Sequence, residues 1–279
     1  MIQMILSATQ LCLEAAMSEP TPSSSSADPW WHTFFDNTYA DYGLANDDEE
    51  TIGKIVDFLV EALKLAEGTT LFDQCCGISR LALPFAERGV RVIGVDRVAG
   101  YIKYASEQAQ QRRLPAEFHC DDAFAFIAPR PCDAAINWFT SFGYVEDDSI
   151  NMQMIQRAFE SLRPGGRFAL DYLNMPRVFA DFRPSSIDRP KSPALDGLIV
   201  LNENRPDFAR GMLDSNWTFI HPDGRRETRQ CSTRMYMPHE IVAMLHRCGF
   251  ADVKLYGSIE GEPFERTSRR CITVARKPP

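Results

Sequence analysis

The sequence predicts an α/β chain: a parallel, doubly wound sheet with helices on both faces and an antiparallel β insertion. Three observations carry this. From residue 50 to residue 174, short apolar runs alternate with segments of helical periodicity. Beyond Asn174 that rhythm stops, and strand-like segments follow one another with a "PDG" turn between two of them. A helix and two further strands then close the chain. The 279 residues, 44% of them hydrophobic, suffice for one large domain with a sizeable insertion.

Taken in order, "ETIGKIVDFLVEALKLAEG" places Ile52, Ile55, Val56, Leu59 and Leu63 at helical spacing and ends at Gly68. "TTLFDQ" is a short buried strand. "ISRLALPFAERG" is a helix closing on Gly89, with some distortion expected at Pro84. "VRVIGVD" is the second strand, "VAGYIKYASEQAQQRR" the next helix, "AEFHCDD" the third strand and "CDAAINWF" the fourth. "SINMQMIQRAFESLRPGG" reads as a helix with a turn, and "RFALDYL" as the fifth strand. Residues 175–195 are proline-rich and read as irregular. "LIVLNENR", "MLDSNWTFIHP" and "ETRQCSTRMY" form the antiparallel insertion. "PHEIVAMLHRCGF" restores a helix before "DVKLYGSIEG" and "RRCITVARK". A sheet of this order binds its ligand at the carboxyl ends of its first strands, where the strand order reverses.

Four regions follow. Residues 1–29 are expected to be a disordered or frayed extension, because "SEPTPSSSSADP" has linker composition and residues 1–17 lack the basic start of a signal peptide. Residues 30–49 form an aromatic lid segment, 50–175 with 235–279 the ligand-binding domain, and 176–234 an antiparallel substrate cap. A net charge of −8 argues against nucleic acid as a partner. No apolar run approaches the ~18 residues of a membrane helix. The eight cysteines contain no C-x-x-C pair. They read as reduced thiols of a cytoplasmic protein without a structural metal.

The first strand runs into "DQCCGIS" (73–79). Vicinal cysteines form disulfides only with strain, so Cys75 and Cys76 make a poor redox pair. A dinucleotide loop needs several glycines for close approach to a pyrophosphate, and here most of those positions are filled, with Asp73 beside the would-be anion. A ligand that is cationic at this point suits Asp73 better. S-adenosylmethionine, with an ammonium, a sulfonium and no phosphate, is such a ligand.

This segment resembles motif I of class I S-adenosylmethionine-dependent methyltransferases, D-L-G-C-G-T-G. Asp73 matches the acid, Gln74 the leucine, Cys75 the first glycine, Cys76 the cysteine and Gly77 the central glycine, while Ile78 and Ser79 take the last two positions. Asp96 ends the second strand 23 residues later, where the family places its ribose-binding acid. Tyr101 falls where the family sets an apolar residue against adenine, and Asp122 where an Asp meets the adenine amino group. "LRPGGRFAL" and the two closing strands resemble the family's turn before strand five and its terminal reversed hairpin. The resemblance implies a Rossmann-like seven-stranded methyltransferase sheet. It also implies cofactor contacts from Asp73, Gln74, Cys75 and Gly77, from Asp96 with Arg97, from Tyr101, from Asp122 with Ala123, and from Asn137, Trp138 and Phe139.

The fourth strand carries "NWFT" and lacks the [DN]-P-P-[YF] of base-directed enzymes. "INWFTSFGYVEDD" resembles a branch of small-molecule methyltransferases, many acting on nitrogen, in which the insertion and the N-terminal segment cover the acceptor. The lid would here be "WWHTFFDNTYADYGL" (30–44), with Trp31 and Tyr39 as positioning residues, and Tyr42, Phe142 and Tyr236 joining them around a planar acceptor. Methyl transfer to a neutral nitrogen needs alignment and dehydration, whereas a hydroxyl needs a base. The five histidines are scattered, which favours N- over O-methylation. The branch is similar to enzymes that methylate flat nitrogen heterocycles, toxoflavin-type azapteridines included. The alternatives are an O-methyltransferase and a non-catalytic S-adenosylmethionine-binding protein.

Overall fold

The computed structural model describes residues 29–44, 49–190 and 195–279. All but one residue of the expected N-terminal extension lie outside the described residues. The segment after it forms short helical pieces, α1 (Trp31–Phe34) and α2 (Asn37–Tyr39), followed by a π-helical turn at Ala40–Leu44. Then α3 (Glu49–Leu63) turns Ile55, Val56, Leu59 and Leu63 inward, as their spacing predicts.

The central sheet alternates strand and helix: β1 (Thr70–Gln74), α4 (Ala82–Glu87), β2 (Arg91–Asp96), α5 (Ala99–Arg112), β3 (Ala116–Cys120), β4 (Cys132–Asn137), α6 (Asp148–Ser161) and β5 (Leu162–Tyr172). After the insertion come α8 (Pro238–Arg247), β10 (Ala251–Tyr256) and β11 (Cys271–Arg276). Seven strands lie in the order β10-β11-β5-β4-β1-β2-β3, with β11 antiparallel to both neighbours and the first five parallel. All five residues of β1 are buried. Leu71 packs with Leu59, Phe85 and Val92 on one face, whereas Phe72 packs with Ile93, Ile155 and Phe168 on the other. Successive side chains of a strand point to opposite faces, so a strand covered on both sides reads as an unbroken apolar run.

Between them, α7 (Met175–Ala180) leads into an antiparallel sheet of β6 (Ser185–Asp188), β7 (Ile199–Asp207), β8 (Met212–Ile220) and β9 (Arg226–Arg234).

Three sequence expectations change. The helix after β1 is only Ala82–Glu87, and Pro84 lies in its first turn. An amide there has no intrahelical acceptor, so proline costs nothing and no distortion follows. Strand β5 begins at Leu162 and absorbs the "LRPGG" turn. Residues 175–190 are ordered as α7 and β6, and α7 is capped by Asn174, whose side chain accepts from the Arg177 amide.

Candidate active site

At the carboxyl end of β1 the chain bends sharply: Cys75, Gly77 and Ser79 have φ of 56°, 56° and 68°. Cys75 thus occupies the left-handed region at the position where the resembled motif has glycine. Backbone bonds close the turn, from Cys76 N to the Val95 carbonyl (3.0 Å) and from Ser79 N to the Cys76 carbonyl (2.9 Å). The neighbouring strand supplies the brace. Asp96 accepts from Gly77 N at one carboxylate oxygen and from Val98 N at the other, both at 2.9 Å. One lone pair remains on each oxygen for a ligand hydroxyl.

These loops open into a cavity of about 600 Å³, within the range of about 300–1,000 Å³ usual for small-molecule sites. Its floor holds Asp73, Cys75, Gly77, Asp96 and Arg97. Tyr101, Asp122 and Ala123 line the side toward β3, and Trp138 and Phe139 the end of β4. Asp122 is exposed and accepts from Phe124 N at 2.9 Å. Asp73 is only 4% exposed. Burial first, then the nearby Asp96, push its carboxyl up to about 8, while Arg80 pulls the other way. A buried acid in this state gains its charge when a cation arrives beside it.

The roof is aromatic. Trp31, Phe35 and Tyr39 of the N-terminal segment meet Phe124 and Tyr144 there. Phe35 and Tyr144 stack at 6.0 Å and 27°, and Trp30 donates through Nε1 to the Tyr144 carbonyl at 3.2 Å. The segment is fastened on both flanks. Arg229 of β9 donates to the Phe34 carbonyl and to Asp36 (2.9 and 2.6 Å), and the Tyr101 hydroxyl donates to the Asp36 carbonyl at 2.6 Å.

Five residues expected in the site do not line this cavity. Gln74 is fully buried beneath the loop, and its amide donates to the Met154 carbonyl at 3.0 Å. Its register partner Asn137 is equally buried and donates toward the Ser141 carbonyl at 3.4 Å. Phe142 and Tyr236 stack on each other at 5.5 Å inside the core, and the Tyr236 hydroxyl donates to Asp148 at 2.7 Å. Tyr42 packs against Trp217 and Phe219 of the antiparallel sheet and donates to Asp188 at 2.9 Å. Of the "SFGY" aromatics, the one facing the cavity is Tyr144. Its phenol is held well above its ordinary value, chiefly by burial, and so stays protonated.

Sequence reasoning also missed the charged far end. Arg80 lies over the Phe139 ring at 3.9 Å. Arg270 pairs with Asp171 through two bonds of 2.7 Å and donates to Thr140 at 2.6 Å. Because β11 runs antiparallel, its first residue pairs with Tyr172 at the end of β5. The "RR" before it therefore arrives at the same edge as the ends of the parallel strands.

Residues 71–166 match a family model described as a methyltransferase domain. The S-adenosyl-L-methionine-dependent Diels-Alderase iccD of Talaromyces variabilis is 26% identical over 186 residues, which are 60% of this chain and 58% of that protein's length. The CcbJ methyltransferase of Streptomyces caelestis superposes with a TM-score of 0.71 at 18% identity, over 86% of this chain and 96% of that one. The 1,6-didemethyltoxoflavin-N1-methyltransferase of Burkholderia thailandensis, solved with 1,6-didemethyltoxoflavin and S-adenosylhomocysteine, gives 0.54 at 17%, over 92% and 93%. The fold is that of the Rossmann-like methyltransferases. The chain carries an S-adenosylmethionine-dependent methyltransferase domain, and S-adenosyl-L-methionine is its cofactor.

The buried Asp73 yields a prediction about that cofactor. Below about pH 8 Asp73 holds a proton in the free protein, and an ammonium bound beside it expels that proton. Affinity for S-adenosylhomocysteine is therefore expected to fall as pH drops from 8 to 6, by at most about tenfold per unit for one linked proton. Calorimetric titration in buffers of different ionisation heat measures the proton released. A flat affinity with no proton release would show that Asp73 is charged before the ligand arrives.

Proposed function

We propose that the chain transfers a methyl group from S-adenosylmethionine to a small planar acceptor, at a ring nitrogen. The observation that carries this reading is the aromatic roof of Trp31, Phe35, Tyr39 and Tyr144 over a floor of carboxylates. The floor suits the cofactor: Asp96 and Asp122 for its ribose and adenine, Asp73 for its ammonium, and Arg80 for its carboxylate. When bound, the cofactor supplies an electrophilic methyl on a sulfonium. The chain's own work is to hold a flat ring under the roof, keep water away and align the attacking lone pair. Alignment of this kind contributes roughly 7–11 kcal/mol in well-oriented intramolecular reactions. Among the described residues the cavity wall contains no histidine, and the Tyr144 phenol keeps its proton. An acceptor that brings a neutral lone pair suits such a wall better than a hydroxyl, which must lose a proton. The toxoflavin-type methyltransferase among the structural neighbours acts on a compound of this shape. In this reading residues 30–44 and the insertion 176–234 cover the acceptor, and 50–175 with 235–279 hold the cofactor. A net charge of −8 disfavours a nucleic-acid acceptor. Among the described residues no helix is long and apolar enough to cross a membrane.

The test is methyl-labelled S-adenosylmethionine with a panel of planar nitrogen heterocycles, azapteridines among them, and their hydroxylated analogues. Label is expected on ring nitrogens. Trp31→Ala and Tyr39→Ala are each expected to lower kcat/KM by about tenfold, from lost ring contacts worth about 0.5–1.5 kcal/mol each beyond area, while S-adenosylhomocysteine affinity changes little. Label on oxygen alone would move the assignment to O-methylation. One relative is named an S-adenosyl-L-methionine-dependent Diels-Alderase, which favours a second reading: the cofactor shapes the cavity and its methyl is never used. Tight S-adenosylhomocysteine binding with no labelled product from any acceptor supports that second reading against the first.

A further inference from the structure

We infer that the acceptor carries an anionic group, a carboxylate or a phosphate, received by an arginine-lined groove that opens from the far end of the cavity. This rests on the methyl-transfer reading for the acceptor's other end, and on separate observations for the groove. Arg269 lines the main cavity and also a second, more open depression walled by Arg177, Arg183, Asp181 and Asn174. Among the described residues of that depression three guanidinium groups face one carboxylate, Asp181, with Glu260 acting on Arg269 from the main cavity, in a chain whose net charge is −8. The arrangement is built from inside. Asn174 is 2% exposed, and its Nδ2 lies 3.2, 3.1 and 2.8 Å from the carbonyls of Glu265, Arg266 and Ser268, just ahead of Arg269. Its Oδ1 accepts from Arg177 N at 3.4 Å. A single buried amide therefore fixes both the loop that carries Arg269 and the helix that carries Arg177.

The neighbouring charges leave these arginines available. Arg270, next in the chain, is committed to Asp171 and Thr140. Among the described residues Arg177 pairs with Asp181, at 3.8 Å and one helical turn away on the surface, a pairing worth little in water. The Arg183 side chain is in no ion pair among the described residues, and Arg269 has the exposed Glu260 near enough for a charge interaction but in no close ion pair. Planar guanidinium forks match carboxylate and phosphate oxygens two at a time. An acceptor with its ring under Tyr144 and an acidic substituent pointing past Arg270 would place that substituent at Arg269, with Arg177 and Arg183 beyond it.

The experiment titrates the full chain with inorganic pyrophosphate and, separately, with phthalate, by calorimetry, with and without saturating S-adenosylhomocysteine, at low and raised salt. At least one anion is expected to bind, more weakly as salt rises. The double variant Arg177→Glu/Arg183→Glu, and separately Arg269→Glu, are expected to weaken that binding by about tenfold or more, as loss of charge-assisted bonds requires. The first pair lies outside the cofactor floor, so its S-adenosylhomocysteine affinity should match the parent's and certify the fold. Arg177→Gln/Arg183→Gln serves if charge reversal perturbs the structure. Tighter pyrophosphate points to a phosphate-bearing acceptor, and tighter phthalate to a carboxylate. Absence of binding by both anions, or binding indifferent to these substitutions, overturns the inference. Failure of S-adenosylhomocysteine to bind would instead count against the methyltransferase reading, and the titrations without it would still decide the groove.

Discussion

Replacing Asp171 with alanine is expected to destabilise the chain by about 3–5 kcal/mol, the cost of removing one partner from a buried ion pair. Asp171 is 3% exposed. Besides its two bonds to Arg270 it accepts from Phe139 N at 3.1 Å. The residues it restrains are themselves strained: Phe139 and Thr140 have φ of 59° and 61°, a conformation costing a non-glycine residue of order 1–3 kcal/mol. Without the carboxylate, Arg270 faces the cavity uncompensated and the Phe139 amide loses its acceptor. The Arg270 side chain is 27% exposed, so partial hydration places the loss toward the lower end of that range. Asp171→Ala/Arg270→Met removes both charges and is expected to recover part of the stability. Urea unfolding of the four proteins measures this. A double variant whose loss equals the sum of the single losses would show that the pair does not act as a unit.

The second large effect is on cofactor affinity. Asp96→Ala is expected to weaken S-adenosylhomocysteine binding by more than tenfold, since hydrogen bonds to a charged group are worth about 1.5–3 kcal/mol. The structure adds to the reason. Asp96 would serve the ligand and also holds Gly77 N and Val98 N, so alanine loosens the loop that forms the floor. Asp122→Ala is the internal comparison. That residue is exposed and braces only Phe124 N through its side chain, and a smaller loss is expected. Calorimetric titration of the two variants ranks them. Equal affinity of Asp96→Ala and the parent would take Asp96 out of the site.

What the sequence made legible was what burial makes periodic. The parallel strands are covered on both faces, so "TLFDQ" and "RVIGVD" stand out as apolar runs. The acids at their ends mark the edge where a ligand can lie. Strand β6 leaves no such trace: Ser185, Ser186, Ile187 and Asp188 are all exposed and are held as a strand by backbone pairing to β7. The aromatics after β4 misled for a related reason. Consecutive left-handed residues at 139–140 redirect the chain, so Phe142 enters the core while Tyr144 reaches the cavity. Gln74 and Asn137 stand at the right strand ends, but their side chains turn into the protein and satisfy backbone carbonyls there. Arg269 and Arg270 were remote in sequence and reach the edge only because the last strand runs backwards.

The two cysteines at the bend of the loop bear on the enzyme's own survival. A thiolate is the strongest nucleophile a protein offers, and a sulfonium is an alkylating agent, so the pair invites suicide alkylation. Only the ionised thiol attacks. Burial first, and then the surrounding carboxylates of Asp73 and Asp96, hold both Cys75 and Cys76 well above the usual thiol range. Burial beneath the bend, reinforced by the Asp96 carboxylate, therefore keeps these sulfurs protonated, and the loop can carry thiols where glycine and cysteine are the usual pair.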